Sequence, residues 1–118
     1  MAVENLRFTH DGFWIQKEGN TCRVGLSVET LKAFGDVSFV DLLDIGEINE
    51  GDPFLHVETS KAASELSSPL SGNIRKVNYK ILEDAESLSV HDRNNNWIAV
   101  FENVVMGDVL NLKEKSLS

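Results

Sequence analysis

At 118 residues the chain has the length of one folding domain. Its 42% hydrophobic and 25% charged residues are ordinary for a globular protein and exclude a disordered one. Eleven Lys and Arg against nineteen Asp and Glu give a formal net charge of -8, a field that repels nucleic acid and anionic membranes and favours partners with basic surfaces. The single cysteine, Cys22, excludes an intramolecular disulfide and a cysteine-based zinc site.

The chain opens Met-Ala-Val-Glu-Asn-Leu-Arg, with neither a basic stretch leading into an apolar run nor an Arg-rich, acid-free segment. No run is long and apolar enough for a membrane helix, so the expectation is a cytoplasmic protein. Phe13 to Gln16 predicts a short strand, Glu18-Gly19-Asn20 a turn, and Arg23 to Leu26 a second strand. Ser27 then caps a helix over Val28 to Phe34, with Glu29 near its positive end and Gly35 closing it. Val37 to Leu43 reads as a buried strand. Gly46 and Gly51 bracket a loop, and Pro53 starts a strand that continues through Phe54, Leu55 and Val57 to about Glu58. The apolar tone stops at Thr59-Ser60-Lys61 and resumes weakly at Ala62, Ala63 and Leu66. After the turn cluster Ser67 to Asn73, Ile74 to Val77 forms the next strand. Leu82 to Leu88 predicts a short helix or turn, Asp92 to Asn96 a polar loop, and Trp97 to Phe101 the last strand. Val105, Val109 and Leu112 fall at helical spacing. About six short strands with two or three short helices imply a mostly β sandwich or barrel.

Catalytic machinery is not visible. His10, His56 and His91 stand far apart without ligand-like spacing, and no G-x-S-x-G, Walker A or G-x-G-x-x-G motif occurs. The carboxylates are scattered, and no nucleophile has an obvious activating base. The expectation is therefore a protein that is not an enzyme. One lysine stands out by position. Lys61 lies between two strand-like runs, flanked by small residues. If those runs pair, it projects from a hairpin tip that a modifying enzyme can reach. Taken alone, the same lysine reads as a solvated turn residue.

The run Glu58-Thr59-Ser60-Lys61-Ala62-Ala63-Ser64-Glu65, followed by Ser68-Pro69-Leu70-Ser71-Gly72, resembles the lipoylation segment of glycine cleavage H proteins, E-S-V-K-A-A-S-[DE] and then S-P-[VL]-S-G. Other segments match in the same order. They are Arg7-Phe8-Thr9 with Trp14, Val24-Gly25-Leu26, Phe34-Gly35-Asp36-Val37 with Phe39-Val40-Asp41-Leu42, then Gly46, Gly51, Asn78, Leu82 and Trp97. The resemblance covers about residues 6–102, leaving a short tail at 103–118. It implies one lipoyl-domain-like hybrid barrel-sandwich of two small antiparallel sheets spanning 1–118. It also implies lipoate in amide linkage on Lys61, with Glu58, Thr59, Ser60, Ala62 and Ala63 recognised by the modifying enzyme.

The function implied is a swinging-arm carrier of aminomethyl groups or reducing equivalents. Its partners would be a lipoate ligase or a lipoyl or octanoyl transferase, with glycine decarboxylase, aminomethyltransferase and dihydrolipoamide dehydrogenase. The sequence departs from the family at Gly12, where a histidine is usual, and at Thr59-Ser60, where Ser-Val is usual. It departs again over Ser89 to Asn96 and in the shortened tail. These departures favour an H-like carrier serving a sirtuin- and macrodomain-linked modification or redox-defence system; a lipoyl relay is a further carrier role, and the intact Lys61 context argues against an interaction module that has lost its modification. Biotin carriage fits less well, because Ser60 and Ala62 stand where that family places methionines.

Overall fold

The structure is a computed structural model, and its described residues are 6–43, 45–89, 93–105, 109 and 112. Among the described residues nine strands fall into two antiparallel sheets. They are β1 (Leu6–Phe8), β2 (Phe13–Glu18), β3 (Thr21–Leu26), β4 (Val37–Leu42), β5 (Glu47–Ile48), β6 (Pro53–Thr59), β7 (Ala63–Ser67), β8 (Gly72–Val77) and β9 (Trp97–Glu102). The larger sheet has the order β1-β2-β3-β9-β8-β5, and the smaller is β4-β6-β7. The expected mostly β architecture of two antiparallel sheets with short helices is the one observed.

The two sheets meet through their apolar faces. Phe54 of β6 packs edge-on against Phe101 of β9, with ring centroids 5.6 Å apart, and at 5.9 Å against Phe13 of β2. All three rings are fully buried, so one aromatic stack fastens the small sheet to the large one. Around it lie Ile15, Val24, Leu26, Val40, Leu55, Val57, Ile81, Leu88 and Ile98. Along β6 the pleat is plain: Leu55 and Val57 face the core, and His56 and Glu58 face outward.

Helix α1 (Val28–Phe34) forms for the reasons legible in its sequence. The Ser27 backbone is extended (φ -68°, ψ 160°), and its hydroxyl accepts from Thr30 N–H at 3.2 Å. Gly35 at φ 73° ends the helix, and its N–H donates to Leu31 O. The cap is also stapled to the β1–β2 loop, because the Gly12 carbonyl accepts from both Ser27 N–H and Thr30 Oγ1 at 2.9 Å. Gly12 sits at φ 95°, where a Cβ would come within 2.2 Å of Thr30 Oγ1. A histidine at this position, expected from the resemblance, would have no room here.

Two strands were not legible as strands, and a third was legible only as a weak strand-like run. β1 and β5 have three and two residues, and β5 lies inside the expected Gly46–Gly51 loop, held there by pairing with β8. β7, Ala-Ser-Glu-Leu-Ser, lacks β-branched and aromatic residues and is recruited by its partner β6. The helix expected over Leu82 to Leu88 begins earlier, as α2 (Tyr79–Glu83), and ends as a 3-10 segment, Ala85–Ser89. The expected polar loop is corrected in part: Arg93–Asn96 forms one helical turn, α3, leading directly into β9. Buried Asn78 explains the local geometry, since its side-chain amide donates to Asn95 O at 3.0 Å and Trp97 O at 2.8 Å. The helix expected from Val105, Val109 and Leu112 falls largely outside the described residues.

Candidate functional site

Strands β6 and β7 form a hairpin whose tip is Ser60-Lys61-Ala62. Thr59 N–H donates to Ala62 O at 2.9 Å and closes the turn. The Thr59 hydroxyl then holds it from inside, accepting from Lys61 N–H and Ala62 N–H and donating to Ala62 O, each at 3.2 Å. One side chain thereby satisfies the backbone of a very short loop, as Ser and Thr do in turns. The replacement of Ser-Val by Thr59-Ser60 keeps a hydroxyl where the turn needs one.

Lys61 is exposed at the apex, and among the described residues its Nζ has no hydrogen-bond or ion-pair partner. Ser60, Ala62 and Ala63 are also exposed, and none is bulky enough to screen the ammonium. Glu58 and Ala63 form the first cross-strand pair below the turn. The Glu58 carboxylate meets His56 Nε2 at 2.9 Å, and its carbonyl accepts from Ser38 Oγ at the bulge in β4. All six residues singled out in the sequence therefore meet at one hairpin end. Beside it lies an open hollow lined by Asp36, Val37, Ser38, Ser60 and Glu86.

The second matched segment, Ser68 to Gly72, anchors the hairpin's other end. Ser68 N–H donates to Asp52 O at 2.8 Å, Gly51 N–H donates to Ser68 O, and Glu50 N–H donates to Ser71 Oγ at 2.8 Å. The buried Ser68 hydroxyl donates to Leu70 O at 2.7 Å. So the lysine turn fixes the tip and the Ser-Pro-Leu-Ser-Gly turn fixes the base.

Sequence reasoning missed the outer face of this sheet. Two rows cross it, Phe39–Glu58–Ala63 and Asp41–His56–Glu65. Phe39 is 45% exposed, and its ring lies edge-on to His56 with centroids 6.1 Å apart. The alternation Leu55-His56-Val57-Glu58 was the available signal, but it needed β7 as a partner to become a surface.

Elsewhere Cys22 is fully buried. Burial, partly opposed by Lys17 and aided by Glu18, pushes its thiol up to about 11, so it is no nucleophile at neutral pH. Among the described residues no group of three or more His, Cys, Asp and Glu side chains could hold a metal ion, and no helix is long and apolar enough to cross a membrane.

Residues 6–116 match the family model for the glycine cleavage H-protein. The chain is 36% identical over 97 residues to the glycine cleavage system H protein of Herpetosiphon aurantiacus, covering 81% of this chain and 75% of that one. It is 32% identical over 110 residues to the protein of the same name from Anoxybacillus flavithermus, covering 92% and 87%. Its fold is similar to the crystal structure of a glycine cleavage system H protein from Mycobacterium marinum, with a TM-score of 0.75 and 28% identity over 83% of each chain. A barrel-sandwich with a lysine at the tip of an open hairpin and a family match running nearly its whole length together settle the family: the chain belongs to the glycine cleavage H-proteins, the lipoyl carriers of that system.

Proposed function

We propose that this chain carries lipoate in amide linkage on Lys61 and presents it in turn to the enzymes of glycine cleavage. The observation that carries the reading is the apex position of Lys61, exposed and unpaired among the described residues on a turn that Thr59 locks. Such a lysine fits a long acyl arm. No described residue beside it blocks the arm's sweep, and the hydrogen-bonded hairpin fixes only the point of attachment. In the acylation step, Lys61 Nζ as the free amine attacks the carbonyl carbon of an activated lipoyl group. A C–N bond forms, the bond to the leaving group breaks and the amine gives up a proton. The product is neutral, so the turn loses its one positive charge. Lipoate, once attached, supplies a dithiolane that accepts and releases an aminomethyl group and cycles between disulfide and dithiol.

The protein's own contribution is to hold that group near each docked partner at high effective concentration. Glu58, Thr59, Ser60, Ala62 and Ala63 form the surface the modifying enzyme, a lipoate ligase or transferase, reads around Lys61. Glycine decarboxylase, aminomethyltransferase and dihydrolipoamide dehydrogenase are the partners this reading names. The relatives named above bear the glycine cleavage name, which favours this system over a sirtuin- and macrodomain-linked one. The test is glycine-dependent release of carbon dioxide by a bacterial glycine decarboxylase. Release is expected with the lipoylated chain and not with the unmodified one. A lipoylated chain that supports no release would remove the glycine cleavage assignment and leave a lipoyl carrier of another system.

A further inference from the structure

The three-stranded sheet has two unlike edges. The β4 edge is packed by the 3-10 segment Ala85–Ser89 and by α2. The β7 edge is open: among the described residues only β6 lies along β7 in extended contact, and Ala63, Glu65 and Ser67 are exposed. Antiparallel pairing alternates between residues that bond to the partner strand and residues that turn their backbone groups away from it. Thr59 and Ala62 form the bonded pair that closes the hairpin. The next bonded pairs are then Val57 with Ser64 and Leu55 with Leu66, in the observed register. Ala63 and Glu65 are left with their N–H and C=O groups aimed off the edge, starting two residues from Lys61.

An open edge is a template for another strand, and proteins usually blunt it with lysine, proline or a bulge. β7 has no lysine or proline, and the small residues Ala63 and Ser67 flank its one charge, Glu65, on the same face of the strand. The adjoining face carries the carboxylates of Asp41, Glu58 and Glu65, with His56 the sole cationic candidate in its two rows. A second copy of this chain is a poor occupant, because symmetric pairing would bring two Glu65-bearing strands together between molecules that each carry a net charge of -8.

We infer that the free edge of β7 receives an extended strand of the enzyme that acylates Lys61, and that this strand sets a Lys or Arg against Glu65. The inference rests on the reading that Lys61 is acylated. Backbone pairing gives affinity without reading side chains, which suits a target lysine whose neighbours are alanine and serine. It also fixes register, so Lys61 stands a set distance beyond the last paired residue.

The experiment follows amide hydrogen exchange of the full chain by NMR, alone and with a bacterial lipoate ligase and lipoate, ATP omitted. In the free chain Ser64 and Leu66 are expected to be protected, and Ala63 and Glu65 to exchange fast. Ligase at concentrations that support turnover should slow Ala63 and Glu65 about tenfold or more, as burial of a hydrogen-bonded edge requires. Unchanged exchange at those two amides overturns the inference. In parallel, Glu65→Pro removes a donor that β6 does not use, and should lower kcat/KM for lipoylation about tenfold. Glu65→Gln, which keeps the N–H, should cost less than Glu65→Lys, which reverses the charge. A folded Glu65→Pro chain modified at the native rate overturns the edge contact and leaves the carrier reading intact. Failure of the native chain to be lipoylated at all removes both.

Discussion

Thr59 shows how a family motif and a physical requirement coincide. The sequence marked it only as a neighbour of Lys61, while its hydroxyl supplies three of the contacts that close the turn. Thr59→Ala should therefore cost about 1 kcal/mol of stability and slow lipoylation, while Thr59→Ser should restore both. Denaturant midpoints and initial rates check this. Cys22 gives a pH prediction. Its folded-state value is raised to about 11, so the folded chain holds a proton that the unfolded chain releases first as pH rises past the ordinary thiol range. The resulting stabilisation is complete below that range and lost as pH climbs toward 11, and Cys22→Ser should flatten this fall in an alkaline stability series. At this scale Lys61 was legible because its flanking residues form a recognisable run. Composition and spacing alone left it no different from any exposed turn lysine.

At the scale of elements, legibility followed side-chain signal. α1 was readable because its cap, its first-turn acid and its terminal glycine all act locally. β7 was legible only as a weak strand-like run, because little in Ala-Ser-Glu-Leu-Ser prefers a strand. It becomes one through its turn and its partner, which are tertiary facts. The same holds for β5, two residues long and defined only against β8. Gly25 of β3 illustrates a requirement that pairing imposes. Trp14, directly opposite on β2, lies across it, and a Cβ there would come within 2.4 Å of the indole ring. Gly25→Ala should push the indole out of place and destabilise the fold by about 1–3 kcal/mol, read as a lowered urea midpoint with altered tryptophan fluorescence. The Val24-Gly25-Leu26 match in the sequence thus marks a packing constraint of the sheet rather than a part of the lysine site.

For the whole molecule, the Phe13–Phe54–Phe101 stack holds the small sheet on the large one, and the lysine hairpin belongs entirely to the small sheet. The body is closely packed where the small sheet meets the large one, and Lys61 at the hairpin tip is exposed. Its net charge of -8 favours long-range attraction to any partner with a basic surface. Lipoylation at low concentrations of the chain should therefore slow several-fold as salt rises from about 0.02 M to about 0.3 M. A rate independent of salt would assign the charge to solubility alone. The central claim concerns one amine, and intact mass tests it most directly. After incubation with lipoate, ATP and a lipoate ligase, the native chain should gain one lipoyl group and Lys61→Arg none. No gain in the native chain, or a gain that survives in Lys61→Arg, would contradict the assignment of Lys61.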